Sequence, residues 1–287
     1  MSPAERADVL FRRDPIAPPA PVVFDSPHSG RHYPDDFRPA APLDVIRRTE
    51  DAFVDELYAK APAQGAVLLG ALFPRAYIDP NRALADLDPA LVEGGWPGAE
   101  GGEKSARGIG LIWRLVPPNI EIYDRRLSPT EVRRRIDRYW RPYQDAVDES
   151  VAAAHARFGS VWHVNCHSMP SQGDVSAGDP GRRRADFVLG DRDGTSCEPD
   201  FTRLVEDSLR ALGYGVVRND PFKGVELVRR NGRPSAGRHS LQIEVNRALY
   251  MNETTFQKLP GFGRLKADIG VLVERICAYA RERATQS

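Results

Sequence analysis

The chain has 287 residues, a length that suits one large α/β domain or two small ones with a substantial buried core. Its 40 Lys and Arg residues balance 40 Asp and Glu residues, so no global field steers it toward nucleic acid or an anionic membrane. The three cysteines, Cys166, Cys197 and Cys277, are odd in number and include no Cys-x-x-Cys pair, which argues against a disulfide framework or a thiolate zinc site and suits a reducing cytoplasm.

No apolar signal core opens the chain and no apolar run is long enough to span a bilayer, so a soluble cytoplasmic protein is expected. The basic runs Arg133–Arg135 and Arg182–Arg184 read as solvated surface rather than binding patches. Residues 1–20 are polar, then proline-rich, and read as an arm leading into one domain over residues 21–287.

Val22-Val-Phe-Asp25 is a short apolar strand that breaks at Ser26-Pro-His-Ser-Gly30, a turn that would present His28 to a cleft; His32 is a weaker candidate. Residues 43–60 have helical periodicity, with Ile46, Phe53, Leu57 and Tyr58 on one face and Asp51 and Asp55 one turn apart beside it. Those carboxylates are either a solvated stripe or the source of a metal ligand. Val67–Phe73 is a second strand. Tyr77 and Ile78 suit a short strand, and Asp79-Pro-Asn81 a turn that presents Asn81 and Arg82. A planar, permanently charged guanidinium on such a turn can hold a carboxylate through two parallel hydrogen bonds.

Residues 83–110 are rich in Gly, Pro, Ala and Asp, and read as a long loop or flap. Its Gly-Gly pairs lack the spacing of a phosphate-cradling motif. Ile109–Leu115 suits a strand bordering the cleft. Ser128-Pro-Thr-Glu131 opens a helix that runs to about Phe158, with Pro142 as its kink.

Val161–Met169 follows, between Gly159 and Pro170, and favours an extended backbone. His163 and His167 would then share a face yet lie about 13 Å apart at 3.3 Å per residue, too far to bind one ion together. His167, at the carboxyl end, sits where open α/β sheets place their sites, and His163 becomes a buried, hydrogen-bonded residue. After a polar loop at 171–185 come strands at Phe187–Gly190, Tyr214–Val217 and Val225–Arg229, with an amphipathic helix over 199–212. Leu241-Gln-Ile-Glu-Val245 alternates as the last strand. Its Glu244, flanked by core residues, would have the raised pKa of a general base; the plainer reading is a paired structural carboxylate. A packing helix closes the chain.

Five anchors stand in order: Pro27-His-Ser-Gly30, Asp51-x-x-x-Asp55-x-Leu-Tyr58, Tyr77-Ile-Asp-Pro-Asn-Arg82, Cys166-His-Ser-Met169, and Gly232-Arg-Pro with His239-x-Leu-Gln-Ile-Glu244. In these the chain resembles the N-formylglutamate amidohydrolases and, more distantly, the aspartoacylase and zinc carboxypeptidase group. The latter takes two metal ligands from His-x-x-Glu, whereas here Ser29, Gly30 and Arg31 follow His28, so the carboxylate ligand must come from elsewhere. The resemblance implies a three-layer α/β/α fold with a mixed central sheet. It also implies one divalent metal, zinc, on His28, Asp51 and His167, with Glu50 as the alternative to Asp51. It further implies Glu244 as the base, Arg75 at the oxyanion, Asn81 and Arg82 on a substrate carboxylate, and Arg229 as the second cation. The substrate expected is an acidic N-acyl amino acid, N-formyl-L-glutamate first. A carboxypeptidase-like peptidase, another N-acyl amino acid deacylase and a non-catalytic binding protein are the competing readings.

Overall fold

In the computed structural model of the protein, which describes residues 8–175 and 177–285, seven strands form one mixed sheet. In chain order the elements are β1 (Leu10–Arg13), β2 (Val22–Ser26), α1 (Leu43–Ile46), α2 (Val54–Leu57), β3 (Val67–Ala71), α3 (Glu103–Ala106), the small hairpin β4 (Leu115–Val116) and β5 (Ile120–Glu121), and α4 (Pro129–Arg135). There follow α5 (Arg141–Phe158), β6 (Val161–Met169), β7 (Phe187–Gly190), α6 (Pro199–Ala211), β8 (Val216–Arg218), α7 (Glu226–Asn231), β9 (Arg238–Asn246) and α8 (Phe262–Ala284). The sheet order is β1-β3-β2-β6-β9-β7-β8. Strands β3, β2, β6 and β9 run parallel; β1 joins β3, and β7 joins β9, in antiparallel fashion.

Helices cover both faces, as the three-layer expectation requires. Each central strand sends alternate side chains to opposite faces. Phe24, Trp162, Val164, Leu241, Ile243 and Val245 pack with α6 and α8. Val23, Leu69 and Val161 pack with α4 and α5. No helix among the described residues is long and apolar enough to cross a membrane, and all three cysteines are free and buried.

Several local expectations change. Within the proline-rich arm, Leu10–Arg13 form an edge strand paired with β3; residues 1–7 lie outside the described residues. Periodicity predicts one helix over 43–60, but the chain is helical only at its two ends. Between them Phe53 adopts a left-handed backbone (φ 66°) and the Asp51 amide donates to the His28 carbonyl at 3.0 Å. That break turns Asp51 into the cleft. Residues 75–82 hold no strand, Ile109 meets Trp113 only in an isolated bridge, and Val225–Arg229 lies mostly in helix α7 rather than in a strand. Within six residues, apolar alternation does not separate the two periods.

Ser128 caps α4 as its sequence indicates, accepting from the Glu131 amide at 3.2 Å. Before Pro142 the helix widens into a π turn over Ile136–Trp140. Five residues would carry a side chain about 140° past a full α-helical turn, whereas the i→i+5 bonding of the π turn brings Arg135 and Trp140 to one side. From there Arg135 donates to the Tyr77 carbonyl at 2.8 Å, Trp140 to the Arg82 carbonyl at 3.0 Å and Gln144 to the Pro80 carbonyl at 2.6 Å. Three side chains of the helical layer thereby fix the 77–82 segment. Arg135 is wholly buried, and Arg184 is buried against Asp179, so neither basic run is simply solvated surface.

Candidate active site and metal centre

A cavity of about 670 Å³ opens at the carboxyl ends of the parallel strands, the position where open α/β sheets bind ligands. A polar stripe on one sheet face leads into it. In β6 the sequence His163-Val-Asn-Cys-His167 alternates strictly, with His163, Asn165 and His167 facing the α4–α5 layer. Ser240, Gln242 and Glu244 of β9 lie beside them in register, and His167 is paired directly with Glu244.

The stripe is a hydrogen-bond relay with a fixed direction. Buried Asp25 receives His163 Nε2 at 2.8 Å, Asn165 Nδ2 at 2.9 Å and the Tyr143 hydroxyl at 2.8 Å. Burial alone would raise its pKa, but His163, Asn165 and Tyr143 hold it below the usual carboxylate range. An ionised Asp25 accepts only, so the Asn165 amide must turn its NH2 that way. Its Oδ1 then faces His167 Nε2 at 2.7 Å, which places the proton on Nε2 and leaves the Nδ1 lone pair toward Asp51.

The same logic sets the other imidazole. His28 Nε2 donates to Asp79 Oδ1 at 2.7 Å, and its wholly buried Nδ1 has no hydrogen-bond partner among the described residues. Burial would raise Asp79, but His28, Arg82 and Arg75 hold it well below the usual range, so it is an acceptor. Asp51 Oδ2 lies 3.0 Å from His167 Nδ1 and 3.4 Å from His28 Nδ1. Three lone-pair donors therefore converge within 4.8 Å of one another with their outer hydrogen bonds already satisfied. That is the arrangement of histidines and a carboxylate around a divalent cation, complete with the outer partners that orient such ligands.

Asp51 Oδ1 accepts from Arg247 at 2.9 Å. Burial would raise Asp51, yet the neighbouring His167, His28 and Arg75 hold it well below the usual range. Glu50, the alternative, turns away to accept from the Tyr33 hydroxyl at 2.6 Å and does not line the cavity, nor does Asp55. Burial lowers His167 to about 4, against the opposing pull of Asp51. Burial and then the charge of Asp51 push Glu244 up to about 8; Gln242 donates to its Oε1 at 3.0 Å.

The structure gathers most of the sequence-predicted site. His28, Asp51, His167, Glu244, Arg75, Asn81 and Arg82 all line the cavity. Arg75 is fixed by two hydrogen bonds to Asp79 Oδ2 at 3.2 and 3.0 Å and lies over the Trp113 ring at 4.6 Å, leaving Nη1 toward the cavity, 3.8 Å from Asp51. Arg82 spends Nε and Nη1 on the Ile109 and Asn81 carbonyls. Asn81 is more committed than a clamp residue should be. Its Oδ1 accepts the Leu227 amide at 2.9 Å and its Nδ2 sits 3.3 Å from Asn165 Oδ1 and 3.1 Å from His167. Arg229 is not brought in: it lies on the outer side of α7, exposed and paired with Glu226 at 2.8 Å, because the segment is a helix and not a strand. His163 is structural, bonded to Asp25 and to Ser240, and His32 is exposed. Sequence reading missed Asp25, Asp79, Asn165 and Arg247. The alternation in β6 marked Asn165; nothing local marked Arg247.

Residues 20–251 match the family described as N-formylglutamate amidohydrolase. The chain is 28% identical to an N-formylglutamate deformylase of Pseudomonas aeruginosa over 273 residues, covering 92% of this chain and 95% of that one. It is 28% identical to an N-formylglutamate deformylase of Pseudomonas putida over 240 residues, covering 82% and 83%. Among solved structures it superposes on N-formylglutamate amidohydrolase from Ralstonia eutropha JMP134 with a TM-score of 0.91 and 48% identity, covering 96% of this chain and 99% of that one.

Proposed function

Because the chain belongs to the N-formylglutamate amidohydrolase family, hydrolases of amide C–N bonds, we propose that it cleaves N-formyl-L-glutamate to formate and L-glutamate with the aid of one zinc ion. The observation that carries the metal is the convergence of His28 Nδ1, Asp51 Oδ2 and His167 Nδ1 beside Glu244. Two imidazoles and a carboxylate, with the fourth position left to water, are a catalytic rather than a structural ligand set. When bound, the ion supplies Lewis-acid polarisation of a water and of the scissile carbonyl.

The chain's own residues do the rest. Glu244 accepts a proton from the attacking water as the water oxygen bonds to the formyl carbon. It returns that proton to the amide nitrogen as the C–N bond breaks, so one water is consumed and formate and the free amine leave. Arg75, held by Asp79 and Trp113, turns its remaining Nη1 to the oxygen that gains charge. One such donor is worth roughly 3–4 kcal/mol. Arg82, anchored through two of its nitrogens, offers the third to a substrate carboxylate, and Asn81 holds its turn in place. Three buried free thiols support a cytoplasmic setting.

Formate release from N-formyl-L-glutamate tests the reading, measured beside N-acetyl-L-glutamate and a Glu-containing dipeptide on zinc-reconstituted protein. N-formyl-L-glutamate should be turned over fastest. Absence of formate from the reconstituted enzyme, or faster cleavage of the dipeptide, would overturn it.

A further inference from the structure

A formylated dicarboxylic amino acid brings two anions into the cavity, and Arg82 can meet one. The basic residues lining the rest of the cavity are mostly neutralised already. Arg184 holds Asp179 through two nitrogens at 2.9 and 2.8 Å, Arg247 holds Asp51, and Lys223 holds Asp193 at 2.9 Å. Lys104 differs. It stands on the short helix α3, half-buried in the cavity wall, and its ammonium makes no ion pair or hydrogen bond to any described residue. Burial first, then the neighbouring Arg82, push its pKa down; Arg107 and Arg75 add to the repulsion and Glu103 offsets part of it.

A half-buried ammonium among other cations is costly to maintain, and an incoming anion removes that cost. We propose that Lys104 reads the second carboxylate of the substrate, so that selectivity for a dicarboxylic amino acid over its uncharged amide analogue resides in the 83–110 segment. The proposal rests on the deformylase reading above for its substrate, and on the lone ammonium beside Arg82 for its place. It fills the role left open by Arg229, which lies outside the cavity. Arg48 is the rival: it also lines the cavity with no ion pair to a described residue, but it is exposed, so water screens its charge.

The test compares wild type, Lys104→Gln, Lys104→Arg and Arg48→Gln, all zinc-reconstituted. Calorimetry measures the binding of L-glutamate and of its uncharged isostere L-glutamine. Kinetics measure formate release from N-formyl-L-glutamate and N-formyl-L-glutamine. Wild type should prefer the acid about tenfold or more in both assays. Lys104→Gln should erase the preference through a higher KM for the acid, with the amide analogue changed by less than about threefold, and Lys104→Arg should restore most of it. An equal loss on both substrates, no preference in wild-type binding, or erasure by Arg48→Gln instead of Lys104→Gln would each overturn the assignment. If neither substrate releases formate, the deformylase reading fails, while the two amino acid affinities still decide the role of Lys104.

Discussion

Replacing Asn165 by leucine removes the residue that dictates which nitrogen of His167 is available. Three contacts go with it: His167 Nε2 at 2.7 Å, Asp25 at 2.9 Å and Asn81 Nδ2 at 3.3 Å. Without the acceptor, the ring can move its proton to Nδ1 and donate to Asp51 Oδ2 at 3.0 Å. Both groups are then tied up in the very direction a cation needs. Loss of an outer partner of this kind weakens metal binding by about 10- to 100-fold, or roughly 1.4–2.7 kcal/mol. The buried Asp25 carboxylate, left one hydrogen bond short, adds about 1–3 kcal/mol to the loss of folding stability. Zinc affinity is read by competition with a chelator of known affinity, alongside circular dichroism to verify the fold. An affinity within twofold of wild type in a folded Asn165→Leu protein would refute the tautomer relay from Asp25 through Asn165 to His167.

Glu244→Gln should lower kcat by about 100-fold or more while zinc content, read by elemental analysis, stays at the wild-type level; His167→Ala should lose both. In metal-free protein, Glu244 has a folded pKa near 8 against 4.5 unperturbed, so its contribution to stability is present below about 4.5 and is lost as pH rises through 8. The interval corresponds to at most roughly 5 kcal/mol, and Glu244→Gln should therefore gain on wild type in thermal melts from pH 5 to pH 8; a constant difference would contradict the burial of that carboxyl. Gly30→Ala should weaken zinc binding, because a Cβ at Gly30 would sit 2.1 Å from the Phe73 carbonyl oxygen and displace the turn that carries His28. Arg229→Ala should leave kcat/KM for N-formyl-L-glutamate within about twofold of wild type, since its guanidinium is exposed and paired on the outer side of α7; a tenfold loss would place it in the site after all.

How much could be read in advance depended on how local the cause was. His28 and His167 were legible because strand ends and turn residues announce themselves within a few positions. The β-period in Leu241–Val245 likewise put Glu244 on a polar face. The break that carries Asp51 was not legible. Nothing between residues 43 and 60 forbids a continuous helix. Phe53 takes its left-handed backbone within a tertiary setting, its ring under the Arg31 guanidinium at 5.2 Å and the adjoining Asp51 amide bonded to His28. Arg135 misled for a similar reason. A run of arginines signals solvent until partners 58 and 12 residues away, the Tyr77 carbonyl and the Tyr123 hydroxyl, turn one of them inward. Residues 225–231 alternate for too short a stretch to distinguish strand from helix, and the Leu227 amide is satisfied by Asn81, far back in the chain.

His167 and Glu244 are side-by-side partners on two parallel strands whose pairing continues for nine residues. Their separation is accordingly set by the spacing between strands, about 4.8 Å, and owes nothing to any loop. Insertions in the walls at 83–110 or 171–185 can reshape which acyl amino acid is admitted without altering the distance between ligand and proton acceptor. Descendants of this chassis are free to change diet; they are not free to shift that ladder by a single rung, since doing so would turn one of the two residues through the sheet to the far layer.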